Sequence, residues 1–142
     1  MNTQVLPVND KSIALAAELL QKGELVALPT ETVYGIAADA RNGEAVKKIF
    51  EAKGRPQDNP LIVHIYGMEM LKGIVSEVPD RAYKLAKAFW PGPLTMVMPR
   101  GGEGSDVTRA GLDTVGVRMP SHPGVQAVIK ASGVGVCAPS AH

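Results

Sequence analysis

Two groups of polar side chains follow apolar runs of this sequence, where a strand would end and a ligand could bind. The run at residues 25–28 leads into PTETVYG, which places the hydroxyls of Thr30 and Thr32 on either side of the Glu31 carboxylate. The run at residues 134–138 is followed in the same way by the hydroxyl of Ser140. In open α/β sheets, ligands bind at the carboxyl ends of strands, where the connecting loops diverge. A small polar ligand could bind there, although a turn in which both threonines satisfy their own backbone fits the spacing somewhat better.

Basic residues are concentrated at the end of a predicted helix, in the segment KGRPQDNP that begins at Lys53. A cation near a helix C-terminus complements the helix dipole, which is a sufficient reason for Lys53. Arg55 precedes a turn fixed by proline, which would hold its side chain in one place. An ammonium and a guanidinium held together are suited to binding phosphate oxygens. Dipole compensation and phosphate binding both remain open from the residues alone.

Three further candidates lie in predicted strands. His64 stands in the apolar run LIVHI, where strand alternation puts it on the face of Ile62, opposite to Leu61, Val63 and Ile65, so that it could reach into a cleft. A single histidine in a strand more often packs as a satisfied side chain, and without a nameable carboxylate partner it is not assigned as a general base. Thr114 and Arg118 are four residues apart on one strand and therefore share a face. Arg118 could form a surface salt bridge or anchor a carboxylate or phosphate.

The elements that must position these residues alternate irregularly along the chain. Apolar periodicity and capping residues predict helices at 10–22, 43–53, 68–75, 79–90 and 123–132, and strands at 25–28, 61–65, 94–98, 114–119 and 134–138. Between residues 99 and 113 the sequence is polar and rich in glycine, which predicts a mobile loop. Two helices occur together and two strands follow each other, so the fold class is α/β with an open, twisted sheet of mixed direction flanked by helices, in a single domain.

Composition excludes several classes of protein. The 142 residues carry 15 basic and 14 acidic side chains, a net charge of +1 that argues against a protein that coats nucleic acid. One cysteine excludes an internal disulfide, and no Cys/His pattern predicts a zinc site. No apolar run reaches the ~18 residues of a membrane span, and the N-terminus resembles neither a signal nor a transit peptide, so we expect a cytoplasmic domain. The sequence also lacks the P-loop, GxGxxG, GxSxG and HExxH motifs.

Five segments in order resemble the threonylcarbamoyl-AMP synthase (YrdC-like) family: LPTETVYGIAADA, KGRPQDNPLIVHI, WPGPLT, GLDTVGVRMPSHP and APSA. The resemblance runs from about residue 25 to residue 141 and implies the YrdC-like fold. The family pattern continues Ala-Pro-Ser-Ala-Asn and then Ser-Pro-Thr with further strands, whereas this sequence has His142 at its last position. We therefore expect residues 1–142 to be a YrdC-like domain that lacks the family's C-terminal part and any second domain.

The resemblance also implies an activity, that of an L-threonylcarbamoyladenylate synthase, a nucleotidyltransferase. The family joins L-threonine, bicarbonate and ATP into threonylcarbamoyl-AMP and pyrophosphate, for the threonylcarbamoyladenosine modification of tRNA. The resemblance implies Mg²⁺ held by the ATP phosphates, with no metal ligands from the protein. Carried over by position, it implies a catalytic cationic pair of Lys53 and Arg55, ATP contacts from Arg55, Asn59, Thr114 and Ser140, and threonine contacts from Thr32, His64, Arg118 and the backbone of Ala138.

Two other functions compete with this one. A non-catalytic RNA- or nucleotide-binding module would use the basic surface to bind tRNA or tRNA-modification proteins, but the near-neutral charge and the scarcity of aromatic residues count against it. A carbamoyl-transfer domain like that of hydrogenase maturation proteins would belong to a large chain with zinc-type cysteine clusters, and this sequence shows neither feature.

Overall fold

The computed structural model describes residues 9–29, 34–54, 60–102 and 104–139. The helices are α1 (Asp10–Gln21), α2 (Gly43–Lys53), α3 (Leu71–Ile74), α4 (Asp80–Phe89), α5 (Asp106–Arg109) and α6 (Pro123–Ser132), with a 3₁₀ turn at Met68–Met70. The strands are β1 (Val26–Pro29), β2 (Tyr34–Asp39), β3 (Val63–His64), β4 (Met96–Pro99), β5 (Thr114–Arg118) and β6 (Val136–Cys137). Within the described ranges, no helix is long and apolar enough to cross a membrane.

The strands form one sheet of mixed direction, in the order β1-β2-β6-β3-β5-β4. The pair β3–β5 is parallel, and the other neighbouring strands are antiparallel. The predicted α/β fold with a mixed, open sheet is therefore confirmed. β4 and β1 are its edge strands.

Apolar side chains cover the two faces of the sheet differently. On one face, Val63, Val117 and Cys137 join a large core with helices α2 and α4. On the other face, α1 and α6 pack together over β1 and β2 and bury Val136. His64 and Arg118 are paired across the sheet, and His64 is also paired with Val136, so these side chains share the second face. The half of that face formed by β3, β5 and β4 is the more open one, since Val97 of β4 keeps 68% of its surface exposed.

Capping residues explain why the predicted helices end where they do. The Asn42 side chain accepts a hydrogen bond from the backbone N–H of Ala45 at 3.1 Å, which starts α2. Gly54 ends the helix with φ at 61°, a left-handed conformation that favours glycine. The predicted bounds of the helix at 43–53 are therefore confirmed. Pro79, expected as the first residue of the next helix, instead precedes it as the N-cap of α4.

Other elements differ from the sequence-based expectation. β2 was not predicted, because its Ala-rich sequence has little strand propensity and becomes a strand by pairing with β1. Strands β3 and β6 are shorter than predicted, and the expected helix at 68–75 is a 3₁₀ turn and a short helix broken at Gly73. The polar segment 99–113 contains α5, whose Thr108 is buried and donates a hydrogen bond to the Ala40 carbonyl at 2.9 Å.

Candidate functional site

A histidine–arginine pair forms the centre of the candidate site. Arg118 Nη2 lies 3.3 Å from His64 Nε2, and His64 Nδ1 lies 3.4 Å from the carbonyl oxygen of Val136. A guanidinium only donates hydrogen bonds, so Nε2 must accept from Arg118, and the ring proton is on Nδ1, facing the Val136 carbonyl. The neutral Nδ1–H tautomer of His64 therefore fits both partners.

Backbone pairing holds the two side chains together. The N–H of Ile65 donates to the carbonyl of Arg118 at 3.0 Å, which continues the parallel ladder of β3 and β5. His64 is buried and Arg118 is half-buried. The Nη2 end of the guanidinium contacts His64. A guanidinium fork has five N–H groups, and within the described residues its only hydrogen bond is to His64, so the other N–H groups suit a bidentate anion such as a carboxylate.

Thr114 lies on the same face of β5 as Arg118, as the sequence predicted. Along this strand Val115 and Val117 are buried on the opposite face, Thr114 is exposed, and Gly116 and Arg118 are half-buried. The strand therefore presents a hydroxyl at one end and a guanidinium at the other. Gly116, which the sequence-based assignment missed, lies between them.

Ala138 directly follows β6 and packs partly against the core under α1 and α6, on the face of Val136. The carbonyl of the next residue, Pro139, accepts a hydrogen bond from the N–H of Ile36 at 2.9 Å, so the chain continues beside β2 here. The backbone of Ala138, which was predicted to contact threonine, thus lies at the carboxyl end of β6. Strand β6 is paired with β3, which carries His64.

Lys53 is in the last turn of α2, and the helix is fixed to the sheet by the buried side chains of Ile49 and Phe50. Helix α2 packs on the face of the sheet opposite to His64 and Arg118, so the described residues do not bring Lys53 together with that pair. The other predicted site residues lie outside the described residues: Thr32, Arg55, Asn59 and Ser140. Their roles stay predictions.

Two other features do not contribute to this site. Burial raises the pKa of the Cys137 thiol to about 12, so it is not a nucleophile near neutral pH. A cavity of about 290 Å³ lies on the opposite face of the sheet, where Val63 and Val115 line it. Two of its cations are already paired, Arg41 with Asp39 at 3.1 Å and Arg109 with Asp106 at 2.7 Å. None of the predicted site residues that the structure describes lines that cavity.

The fold is a mixed α/β sheet that carries an arginine, a histidine and a hydroxyl on one open face, an arrangement suited to a small anionic ligand. The chain belongs to the Sua5/YciO/YrdC family, whose model, described as "Telomere recombination", matches residues 18–142.

Relatives of known name share this sequence over most of its length. It is 52% identical over 141 residues to the threonylcarbamoyl-AMP synthase of Bacillus subtilis (strain 168), covering 99% of this chain and 41% of the relative. It is 50% identical over 135 residues to the threonylcarbamoyl-AMP synthase of Pyrococcus abyssi (strain GE5 / Orsay), covering 95% and 40%. The chain therefore spans about two fifths of the length of these relatives.

Solved structures agree with the fold. The crystal structure of P. abyssi Sua5 complexed with L-threonine superposes with a TM-score of 0.89 at 50% identity, covering 95% of this chain and 40% of that one. The crystal structure of E. coli YciO superposes with a TM-score of 0.79 at 23% identity, covering 92% and 63%. At that identity the second likeness concerns the fold alone.

Proposed function

We propose that this chain is the substrate-binding and catalytic part of an L-threonylcarbamoyladenylate synthase. The observation that carries the proposal is the Arg118 guanidinium, held against His64 at 3.3 Å on the open face of the sheet. A half-buried guanidinium with one end fixed is a suitable anchor for the carboxylate of an amino acid. A relative that is half identical to this chain has been crystallised with L-threonine.

The reaction needs little covalent participation from the protein. The amine of threonine attacks the carbon of bicarbonate, forming an N–C bond and releasing water, to give a carbamate. A carbamate oxygen then attacks the α-phosphorus of ATP, a new P–O bond forms, and the bond to pyrophosphate breaks. Anions must approach anions in this step, so fixed cations and positioning supply most of the catalysis.

The proposed roles divide the residues into two ends of one site. Arg118 binds the threonine carboxylate, with Thr32, His64 and the backbone of Ala138 around the rest of the amino acid. Arg55, Asn59, Thr114 and Ser140 bind ATP. Lys53 and Arg55 offset the charge that develops on the phosphates.

Mg²⁺ enters this proposal as part of the nucleotide. Among the described residues, no group of three Asp, Glu, His or Cys side chains could hold a metal ion. Hydroxyls and cations are instead the donors at the proposed ATP end, which suits a Mg²⁺ ion that is held by phosphates and water. When bound with ATP, the ion would neutralise phosphate charge.

The product is a reactive mixed anhydride, which requires an acceptor. We propose that it serves tRNA threonylcarbamoylation in the cytoplasm, with tRNA or tRNA-modification proteins as partners. The names of the relatives support threonylcarbamoyl-AMP as the product. A chain that binds substrates without turnover is the alternative function.

Isothermal titration calorimetry tests the two ends separately. We expect the purified 142-residue chain to bind L-threonine, and to bind ATP in the presence of Mg²⁺. L-threoninol, which lacks the carboxylate, is the control ligand and should bind much more weakly than L-threonine. Equal binding of threonine and threoninol, or no binding of either substrate, would refute the proposed site.

Substitutions of His64 test how Arg118 is positioned. Glutamine can place an amide oxygen near the position of Nε2, whereas the shorter asparagine reaches only that of Nδ1. We expect His64→Asn to weaken threonine binding about tenfold, the value of one hydrogen bond to a charged group, and His64→Gln to retain most of it. Calorimetry with threonine measures both variants. Equal losses in the two variants would show that the hydrogen bond to Arg118 is unimportant.

A further inference from the structure

Gly116 occupies the middle of β5 without a conformational reason to be glycine. Its φ lies outside the left-handed region, and a Cβ built on it would lie 3.4 Å from Thr95 Cγ2 and 3.9 Å from Ile62 Cγ1. These are ordinary van der Waals distances, so the fold has room for alanine at this position. A glycine within a strand also costs stability, because it orders a flexible backbone and packs no side chain. The strand alone therefore gives no reason for this residue.

The surroundings of Gly116 are open on the face of the candidate site. Its partner across the antiparallel pair is Val97, which is 68% exposed. Thr114 and Arg118 are the next residues of β5 on the same face, one on each side. Between these two residues Gly116 contributes no side chain to this face of the sheet. Glycine in a strand is typical of places where a ligand approaches the backbone closely.

We infer that the absence of a side chain at Gly116 leaves room for the reacting atoms where threonine and ATP are joined. This inference rests on the proposed function and adds a specificity-determining position to it. Four residues of strand separate Thr114 from Arg118 by about 13 Å, with Gly116 about halfway. Five covalent bonds separate the threonine carboxylate carbon from the α-phosphorus in the product, which is about 6 Å in an extended chain. With the carboxylate on Arg118, the bond from the carbamate to phosphorus forms above Gly116.

The lateral position of the Arg118 guanidinium supports this geometry. The guanidinium contacts His64, which is its cross-strand partner on β3. The guanidinium therefore lies at the level of Arg118 along β5, and it is not displaced along the strand toward Thr114. A ligand that reaches from this anchor toward Thr114 must cross the level of Gly116.

We expect Gly116→Ala to lower the activity of the protein without lowering its stability. We expect the melting temperature to be unchanged or higher by about 2 °C, since alanine reduces the entropy of the unfolded chain. The dissociation constants for threonine alone and for ATP alone should stay close to those of the parent. Pyrophosphate release should fall about tenfold to a hundredfold, because the methyl group displaces the reacting atoms by about 1 Å.

Gly43→Ala is the matched control. Gly43 begins α2, and a Cβ there would lie 3.6 Å from Ser105 Cβ and 3.8 Å from Val107 Cγ2, a similar clearance in a place outside the site. We expect this variant to keep the parent's pyrophosphate release. Gly116→Ser provides a second blocking side chain of similar size, and should behave like Gly116→Ala.

Binding titrations make the test independent of turnover. Threonine is titrated into the parent and into Gly116→Ala, with and without saturating ATP and Mg²⁺. ATP should weaken threonine binding in the variant and not in the parent. The inference alone would be overturned if Gly116→Ala kept full activity and ATP left its threonine binding unchanged. It would also be overturned if the variant melted at a lower temperature and bound both threonine alone and ATP alone more weakly. A parent that binds neither substrate would overturn the proposed function, and this inference with it.

Discussion

Replacing Arg118 by alanine is expected to weaken L-threonine binding by at least about a hundredfold, while ATP binding changes little. Hydrogen bonds to charged groups contribute about 1.5–3 kcal/mol each, and a bidentate carboxylate contact makes two of them. The structure gives this guanidinium a fixed orientation through His64, so little entropy is lost when the ligand binds. Calorimetric titration of threonine into the folded variant measures the effect.

Two further variants separate the charge of Arg118 from its shape. Arg118→Lys keeps the charge and loses the planar fork, so it should recover only part of the affinity. Arg100→Ala is the control: Arg100 is a partly exposed arginine that lies 3.6 Å from the exposed Asp113. It should bind threonine like the parent. Threonine binding by Arg118→Ala at the parent's affinity would remove the carboxylate anchor from the proposed site.

Replacing Arg55 by alanine is expected to lower pyrophosphate release about 10²- to 10³-fold. Removing a group that stabilises charge in a transition state typically costs this much, and the α-phosphorus reaction brings several anionic oxygens together. Arg55 lies outside the described residues, so this role comes from the resemblance and from its position two residues after Lys53.

A lysine of the same helix provides the control for Arg55. Lys47 is half-buried and pairs with the exposed Glu44 at 3.5 Å. Lys47→Ala removes one positive charge from α2 without touching the proposed site, so its pyrophosphate release should match the parent. Equal losses in both variants would mean that net charge matters and that Arg55 has no specific role.

Local patterns were sufficient to predict the parts of the fold that local interactions determine. Helix α2, which Asn42 and Gly54 cap, has the bounds predicted for the helix at 43–53, because capping depends on neighbouring backbone groups. β2 and α5 were missed because long-range contacts stabilise them. β2 pairs with β1 on one side and β6 on the other, and Thr108 of α5 binds the carbonyl of Ala40, 68 residues away in sequence.

The same distinction applies to the candidate site. Strand alternation is local and correctly placed Thr114 and Arg118 on one face. The contact between His64 and Arg118 joins residues 54 apart, and it depends on the parallel pairing of β3 with β5, which the sequence does not specify. Gly116 was missed because glycine offers no functional group, and only its open surroundings in the folded chain indicate a role.

Synthesis of threonylcarbamoyl-AMP by the 142-residue chain is the most direct measure of its function. The chain is incubated with ATP, Mg²⁺, L-threonine and bicarbonate, and pyrophosphate and the adenylate are measured, the latter by mass spectrometry. We expect both products, and neither when threonine or bicarbonate is omitted. Pyrophosphate release that does not depend on threonine, or no adenylate from a folded chain that binds both substrates, would contradict the proposed activity.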